Sequence, residues 1–306
     1  MLAGYVSRRR GVSEKLAEKL MWLVVVFGYP SVGLFAVWGT NLAGAVWLPV
    51  LAAFYIVILT GVGLAFSRLL TRDRPLEGLF AIACGMGNTG FTMGAFLCYL
   101  LFGFDAIGLA AVYDLSWWLM LVCLMYPLAR HYAAEKPPEG GLGLLIWRNV
   151  MDIRSLGLLA TIAGLGLNLL HLPFPMAVRD QHVMDVLMFI TSTLAFFSIG
   201  LRLHASHVRP IMRLIVGLGA MRFLVAPLVA LGLWALTLLT PWPLTGIPRG
   251  VFHVESCIPT AVTMVAIANL FHLRPREASA LFVVNTLSYL AILPALIWFF
   301  KAVWAN

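Results

Sequence analysis

GNTGFTMG, residues 87–94, interrupts an apolar stretch that otherwise has the character of a membrane helix. Gly87 and Gly90 flank an Asn88–Thr89 pair, and Thr92 and Gly94 follow. Glycine permits backbone conformations that a helix does not use. Freed N–H and C=O groups are tolerated at bilayer depth only where protein or a water-filled cavity satisfies them. The stretch therefore reads as a deliberate helix break, or as small residues that let two helices pack closely.

Working outward, the chain has 306 residues, of which 61% are hydrophobic and 11% charged, with a mean hydropathy of +0.94. A soluble domain carries roughly 25% charged residues. The composition implies an all-α integral membrane protein. Residues 1–19 are basic and polar and lack the apolar core of a cleavable signal peptide. Cys84, Cys98, Cys123 and Cys257 all lie in apolar segments without metal-ligand spacing, which argues against a disulfide framework or a zinc site. About nine spans are expected: 19–39, 44–68, 76–102, 106–130, 155–171, 183–203, 210–239, 247–271 and 277–303. Each is near the roughly 20 residues needed to cross a 30 Å hydrocarbon core.

The formal charge of +8 suggests nucleic acid until it is placed on these spans. Arg8, Arg9, Arg10, Lys15 and Lys19 precede the first. Arg68, Arg72, Arg74, Arg130, Lys136, Arg148, Arg154, Arg202, Arg209, Arg213, Arg274 and Arg276 fall on the same side. Arg179, Arg249 and Lys301 fall on the other. The bias puts the N-terminus in the cytoplasm and the C-terminus outside, and leaves no case for a nucleic-acid partner. The polar stretch EKPPEGG at 135–141 marks a flexible linker. The expected organisation is a cytoplasmic segment at 1–18, a four-helix half at 19–130, a cytoplasmic linker at 131–154 and a five-helix half at 155–306.

The halves resemble each other. LFGFDAIGLAAVYDLS (101–116) and LFHLRPREASALFVVNTLS (270–288) both open Leu-Phe, cross a polar turn and enter a helix, with Asp114 and Asn285 in equivalent places. Upstream of each lies an interrupted helix, at Gly87–Gly90 in one and at ESCIPT (255–260) in the other. An odd number of spans separates the copies, so they have opposite topology. Broken segments at matching positions of inverted halves point to a transporter's binding site.

Residues 87–118 and the stretch ESCIPTAVTMVAIANLFHLRPREASALFVVNTLSYLAILP (255–294) resemble the broken helices and following spans of the auxin efflux carrier family. Similarity extends over most of the chain, including GLLATIAGLGLNLLHLPFP (157–175) and MRFLVAPLVA (221–230). That family includes bacterial carriers of malonate and malate and the plant auxin exporters. The resemblance implies ten helices in two inverted repeats, with crossed broken helices holding the substrate, in a bacterial inner membrane. Sodium–bile acid symporters share this architecture and a motif similar to ESCIPTA, whose Glu helps bind sodium. The chain departs from the pattern in three ways. Its start matches the end of the family's first helix, so that helix is expected to be missing. Phe96 takes the place of the usual proline of the first crossover. Met264 stands near a later crossover proline of the plant proteins, while Pro259 is retained.

Glu255 falls mid-membrane, where a charge costs ~2.5–3.5 kcal/mol on insertion scales. It reads as a site for sodium or a proton, or as a structural partner of Arg249 or His253. Asp114 either joins it in holding a cation or locks helix packing by a hydrogen bond. Asn88, Thr89, Ser256, Thr260 and Asn285 are the expected substrate-binding groups, and Gly87, Gly90 and Pro259 the helix breakers. Arg222 lies roughly 13 Å into its helix. It would hold a substrate carboxylate bidentately, snorkel to the interface or pair with Asp114. Trp117 and Trp118 suit packing or lipid contact better than ligand stacking. No cofactor is expected beyond a coupling ion, and the expected partners are a small organic anion and membrane lipid, with the chain a monomer or homodimer. No HExxH or GxSxG motif suggests an enzyme. The function expected is secondary transport of a malonate- or malate-like anion by alternating access. Sodium-coupled transport of larger amphipathic anions is the alternative, and a non-transporting receptor a more distant one.

Overall fold

The computed structural model describes residues 2–91, 93–133, 155–201 and 208–304. Most of the expected linker at 131–154 lies outside the described residues, as do Arg202, His204 and His207. Sixteen α-helices are used below. They are α1 (Leu2–Arg9), α2 (Glu14–Leu23), α3 (Tyr29–Gly39), α4 (Trp47–Leu70), α5 (Arg74–Gly85), α6 (Gly94–Phe102), α7 (Phe104–Met120) and α8 (Tyr126–Tyr132), followed by α9 (Leu156–Leu169), α10 (Met176–Asp180), α11 (Val183–Leu201), α12 (Met212–Ala220), α13 (Ala226–Thr237), α14 (Gly246–Ser256), α15 (Thr263–Leu270) and α16 (Pro275–Trp304).

Among the described residues, six helical stretches are long and apolar enough to cross a membrane: Lys15–Gly39, Trp47–Leu70, Phe104–Tyr132, Val183–Leu201, Arg209–Thr237 and Pro275–Val303. The expected spans at 76–102 and 247–271 are each split into two helices, and that at 155–171 is a helix of 14 residues. The helix that carries the first span begins at Glu14 rather than near residue 19, because the Ser13 side chain accepts a hydrogen bond from Lys15 N (3.1 Å) and caps it. Phe27, Phe54, Leu228 and Trp298 are exposed on these helices. Such faces suit lipid, and the chain is an integral membrane protein.

Three of the long stretches contain one widened π turn: Val24–Gly28, Leu121–Met125 and Met221–Val225. A proline stands at the second position of the α-helix that follows each, at Pro30, Pro127 and Pro227. A proline lacks the N–H of the regular ladder, and its ring presses on the carbonyl four residues back. The wider turn relieves that pressure and lets the helix continue.

The chain forms two compact units that interleave along the sequence: Met1–Ala43, Gly90–Val112 and Gly141–Leu203 in one, and Gly44–Thr89, Tyr113–Gly140 and His204–Asn306 in the other. In the first unit α3 and α9 pack closely through small residues. A Cβ built on Gly33 would lie 2.5 Å from Thr161 Oγ1, and one on Gly164 would strike the Leu34 carbonyl. Asn168 Nδ2 donates to the carbonyls of Val37 (3.0 Å), Trp38 (3.0 Å) and Thr40 (2.8 Å), closing the C-terminal end of α3.

In the second unit α4 and α5 pack through Gly63, Thr60 and Gly85: a Cβ on Gly63 would meet Cys84, and one on Gly85 would strike Thr60. Asp73 fixes the start of α5 by accepting from Leu76 N (3.4 Å), and its other oxygen takes Arg274 (2.6 Å) from the approach to α16.

Gly164→Val should destabilise the first unit by about 1–3 kcal/mol, because the added carbons meet backbone rather than a movable side chain. Gly166→Ala, on the same helix with open space around it, should be neutral. Thermal unfolding of the two purified variants in detergent checks the contrast.

Candidate functional site

α5 ends at Gly85, and its backbone turns extended at Met86 (φ −98°, ψ 110°). α14 ends at Ser256, and Pro259 three residues on cannot continue a helix. Both breaks leave backbone amides and carbonyls that a dry interior cannot leave unbonded. The two extended segments satisfy each other. They lie antiparallel, with Gly87 opposite Thr260. Asn88 N donates to Pro259 O (2.8 Å), and Ala261 N donates to Met86 O (2.9 Å).

Side chains bind further backbone groups of the two breaks. Asn285 on α16 accepts from Thr260 N through its Oδ1 (2.8 Å), and Thr260 Oγ1 donates to Met86 O (3.3 Å). Tyr55 on α4 donates its hydroxyl to Ser256 O (2.8 Å). Arg222, 0% exposed within its π turn, reaches both breaks. Its Nε and Nη2 donate to Ile258 O and its Nη1 to Cys84 O, at 3.0 Å from Nε and 3.1 Å from Nη1. The guanidinium also lies beside the Tyr55 hydroxyl. A Cβ on Gly87 would stand 2.6 Å from Arg222 Nη2, so glycine there leaves room for the guanidinium.

Arg222 therefore departs from two of the three settings read in the sequence. It does not snorkel, and its hydrogen bonds among the described residues go to main-chain carbonyls rather than to Asp114. Ser256 donates its hydroxyl to His253 O (2.6 Å) within its own helix. Asp114 pairs with Thr89, whose side chain hydrogen-bonds its carboxylate. Asp114 Oδ1 and Asn285 Nδ2 are each shielded from solvent without a hydrogen-bond partner among the described residues, as is the neighbouring Thr286 Oγ1. Glu255 is 0% exposed and lies within electrostatic reach of Tyr55 and Tyr113. Gly90, in the other unit, starts a turn in which its carbonyl accepts from Met93 N (3.1 Å).

Asn88, Thr260, Asn285, Pro259, Gly87 and Arg222 are thus brought together at the paired breaks, with Glu255 and Ser256 at the end of α14. The profile of the membrane transport protein family matches residues 1–299.

The chain belongs to that family.

It is the auxin efflux carrier family that the two broken-helix motifs resemble. No curated protein matches the chain. Membership makes the chain a membrane transport protein. No group of three His, Cys, Asp or Glu among the described residues could hold a metal ion. Sequence reasoning missed Tyr55 and the carbonyls of Cys84 and Ile258. Tyr55 had a signal, as a polar-tipped side chain in the apolar run LAAFYIVILT (51–60).

The transport protein also has a cavity of about 310 Å³ between α13, α14 and the C-terminal half of α16. Phe223, Leu231, Ile292 and Phe299 line it, and His253, Ser256 and Cys257 lead to the second break. Arg249 borders it and stacks over the Trp234 ring at 4.4 Å.

Asn285→Leu should cost about 1–3 kcal/mol, because it strands the Thr260 amide. Asn285→Asp keeps an acceptor at that amide and should lose less. Unfolding midpoints of the two variants, read side by side, check the order.

Proposed function

We propose that this membrane transport protein is a secondary carrier of a small organic anion of malonate or malate type, working by alternating access. In this reading the two broken helices each cross the bilayer as two half-helices, bringing the passages to nine, and the halves of the chain form an inverted repeat. The N-terminus is cytoplasmic and the C-terminus outside, as the arginine and lysine bias favours. The carrying observation is the pairing of two backbone breaks beside buried polar side-chain atoms that have no hydrogen-bond partner among the described residues. Asp114 Oδ1 offers an acceptor and Asn285 Nδ2 a donor, each desolvated and available to a ligand. Broken helices beside such groups suit an ion and an anionic substrate.

Asn88, Thr89, Thr260 and Asn285 are proposed to line the substrate site, with Ser256 contributing through its backbone. Glu255 and the Asp114–Thr89 pair are proposed to couple transport to a proton or sodium, since a buried carboxylate is costly to retain without a role. Sodium-coupled transport of larger amphipathic anions is a second reading. The cavity bordered by Arg249 favours it, because apolar walls with one cation at the rim suit a ligand having an apolar body and an acidic end.

Proteoliposomes loaded with the purified chain should accumulate a labelled small dicarboxylate under an imposed proton or sodium gradient. Glu255→Gln should lower gradient-driven accumulation by about tenfold or more, within the range of coupling energies between sites, while leaving counterflow exchange less affected. Uptake unchanged by Glu255→Gln under both gradients removes Glu255 from coupling. Uptake of bile-acid-like anions alone would favour the second reading.

A further inference from the structure

The groups that receive Arg222 are those that would bind a small cation. Ile258 O and Cys84 O are main-chain oxygens, one from each break, and the Tyr55 side chain adds a third contact. Carbonyl oxygens of unwound segments and of helix C-terminal ends are the donors with which discontinuous membrane helices hold monovalent cations. Cys84 lies in the last turn of α5, where the helix dipole favours positive charge. Arg222 is completely buried, so its charge has given up solvent for these oxygens.

We infer that Arg222 is a tethered cation, filling by covalent attachment a carbonyl-lined seat that a free monovalent ion would otherwise have to fill. The two breaks are bridged by a guanidinium supplied from the π turn of the Arg209–Thr237 stretch, and wild-type protein takes no sodium at this seat. Ion coupling then falls to other groups, the carboxylates of Glu255 and Asp114. This deepens the transport reading and rests on it for the consequence for coupling. The seat itself is a matter of local geometry and is tested without transport.

Several local features fit a fixed cation. Gly87 leaves the space that the planar guanidinium fills. Pro227, five residues after Arg222, accompanies the π turn that carries it. One guanidinium can donate in several directions at once, whereas a lysine ammonium on a shorter reach would serve fewer of these oxygens.

The test uses the full chain in detergent, with thermal unfolding of wild type, Arg222→Ala, Arg222→Gln and Arg222→Lys. Each is titrated with sodium, potassium and low-millimolar guanidinium at constant ionic strength. Arg222→Ala should unfold at a lower temperature and be raised by guanidinium, or by sodium, in a saturable way. Wild type should show no saturable response to either. Arg222→Lys should retain more stability than Arg222→Gln, which keeps hydrogen-bond donors but has neither the charge nor the reach. Arg222→Gln as stable as wild type would overturn the inference, as would an Arg222→Ala protein indifferent to every cation or a wild-type protein saturably stabilised by sodium. Should Arg222→Ala not fold, the order of the Lys and Gln variants decides. Uptake by wild-type proteoliposomes, with sodium replaced by potassium at fixed pH, gives a separate readout. No uptake under any gradient would count against the transport reading and leave the cation response of the Arg222 variants to judge the seat.

Discussion

Backbone amides and carbonyls left unbonded inside a membrane protein cost several kcal/mol each, and the second unit is arranged around that constraint. Interrupting α5 and α14 strands amides and carbonyls where no water is at hand. The antiparallel pairing of Met86–Asn88 with Pro259–Ala261 bonds the central ones. Asn285, Tyr55 and Arg222 bond Thr260 N, Ser256 O and the carbonyls of Ile258 and Cys84, and each comes from a different helix of the unit. The packing of α4 against α5 through Gly63 and Gly85, and the π turn before Pro227, are what put Tyr55 and Arg222 within reach.

Much of this was legible in the sequence because breaks have a local chemistry. Pro259 forbids a continuous helix from its own lack of an N–H, and Gly87 and Gly90 free their backbone by lacking a side chain. Neither fact needs a partner to be read. The role of Asn285 in holding the Thr260 amide was not legible, because that depends on which backbone group, 25 residues away, is stranded. Arg222 shows the same limit from the other side. Its depth in an apolar helix marked it as important, but a carbonyl is invisible in a residue alphabet, so its sequence reading turned to carboxylates and the interface. The interleaving of the two units is likewise set by contacts distant along the chain.

Segment length also limited the reading. Hydropathy treats 76–102 and 247–271 as single apolar runs; Gly87–Gly90 and Pro259 mark a break in each, but only hydrogen bonding shows where the flanking helices stop and that the extended pieces pair. At 155–171 the apolar run is longer than its helix, because His171 adopts a positive φ of 53° while its N–H bonds Asn168 O and that of Leu172 reaches back to Leu167 O, which closes the helix end. The first unit depends on close helix contact through Gly33 and Gly164, a feature visible in sequence only as an absence of bulk.

The burial of Arg222 has a consequence for how the protein is made. Synthesis runs from the N-terminus, so the Arg209–Thr237 stretch reaches the membrane after Cys84 and before Ile258. It must partition into lipid with an arginine near its middle, a penalty of ~2.5–3.5 kcal/mol on the insertion scale. Its mean hydropathy of 2.2 over the most apolar window offsets that penalty. Until α14 follows, one carbonyl that will receive the guanidinium exists and the other does not. The stretch is thus held at first by its leucines and valines, and the charge becomes settled only when the last quarter of the chain arrives.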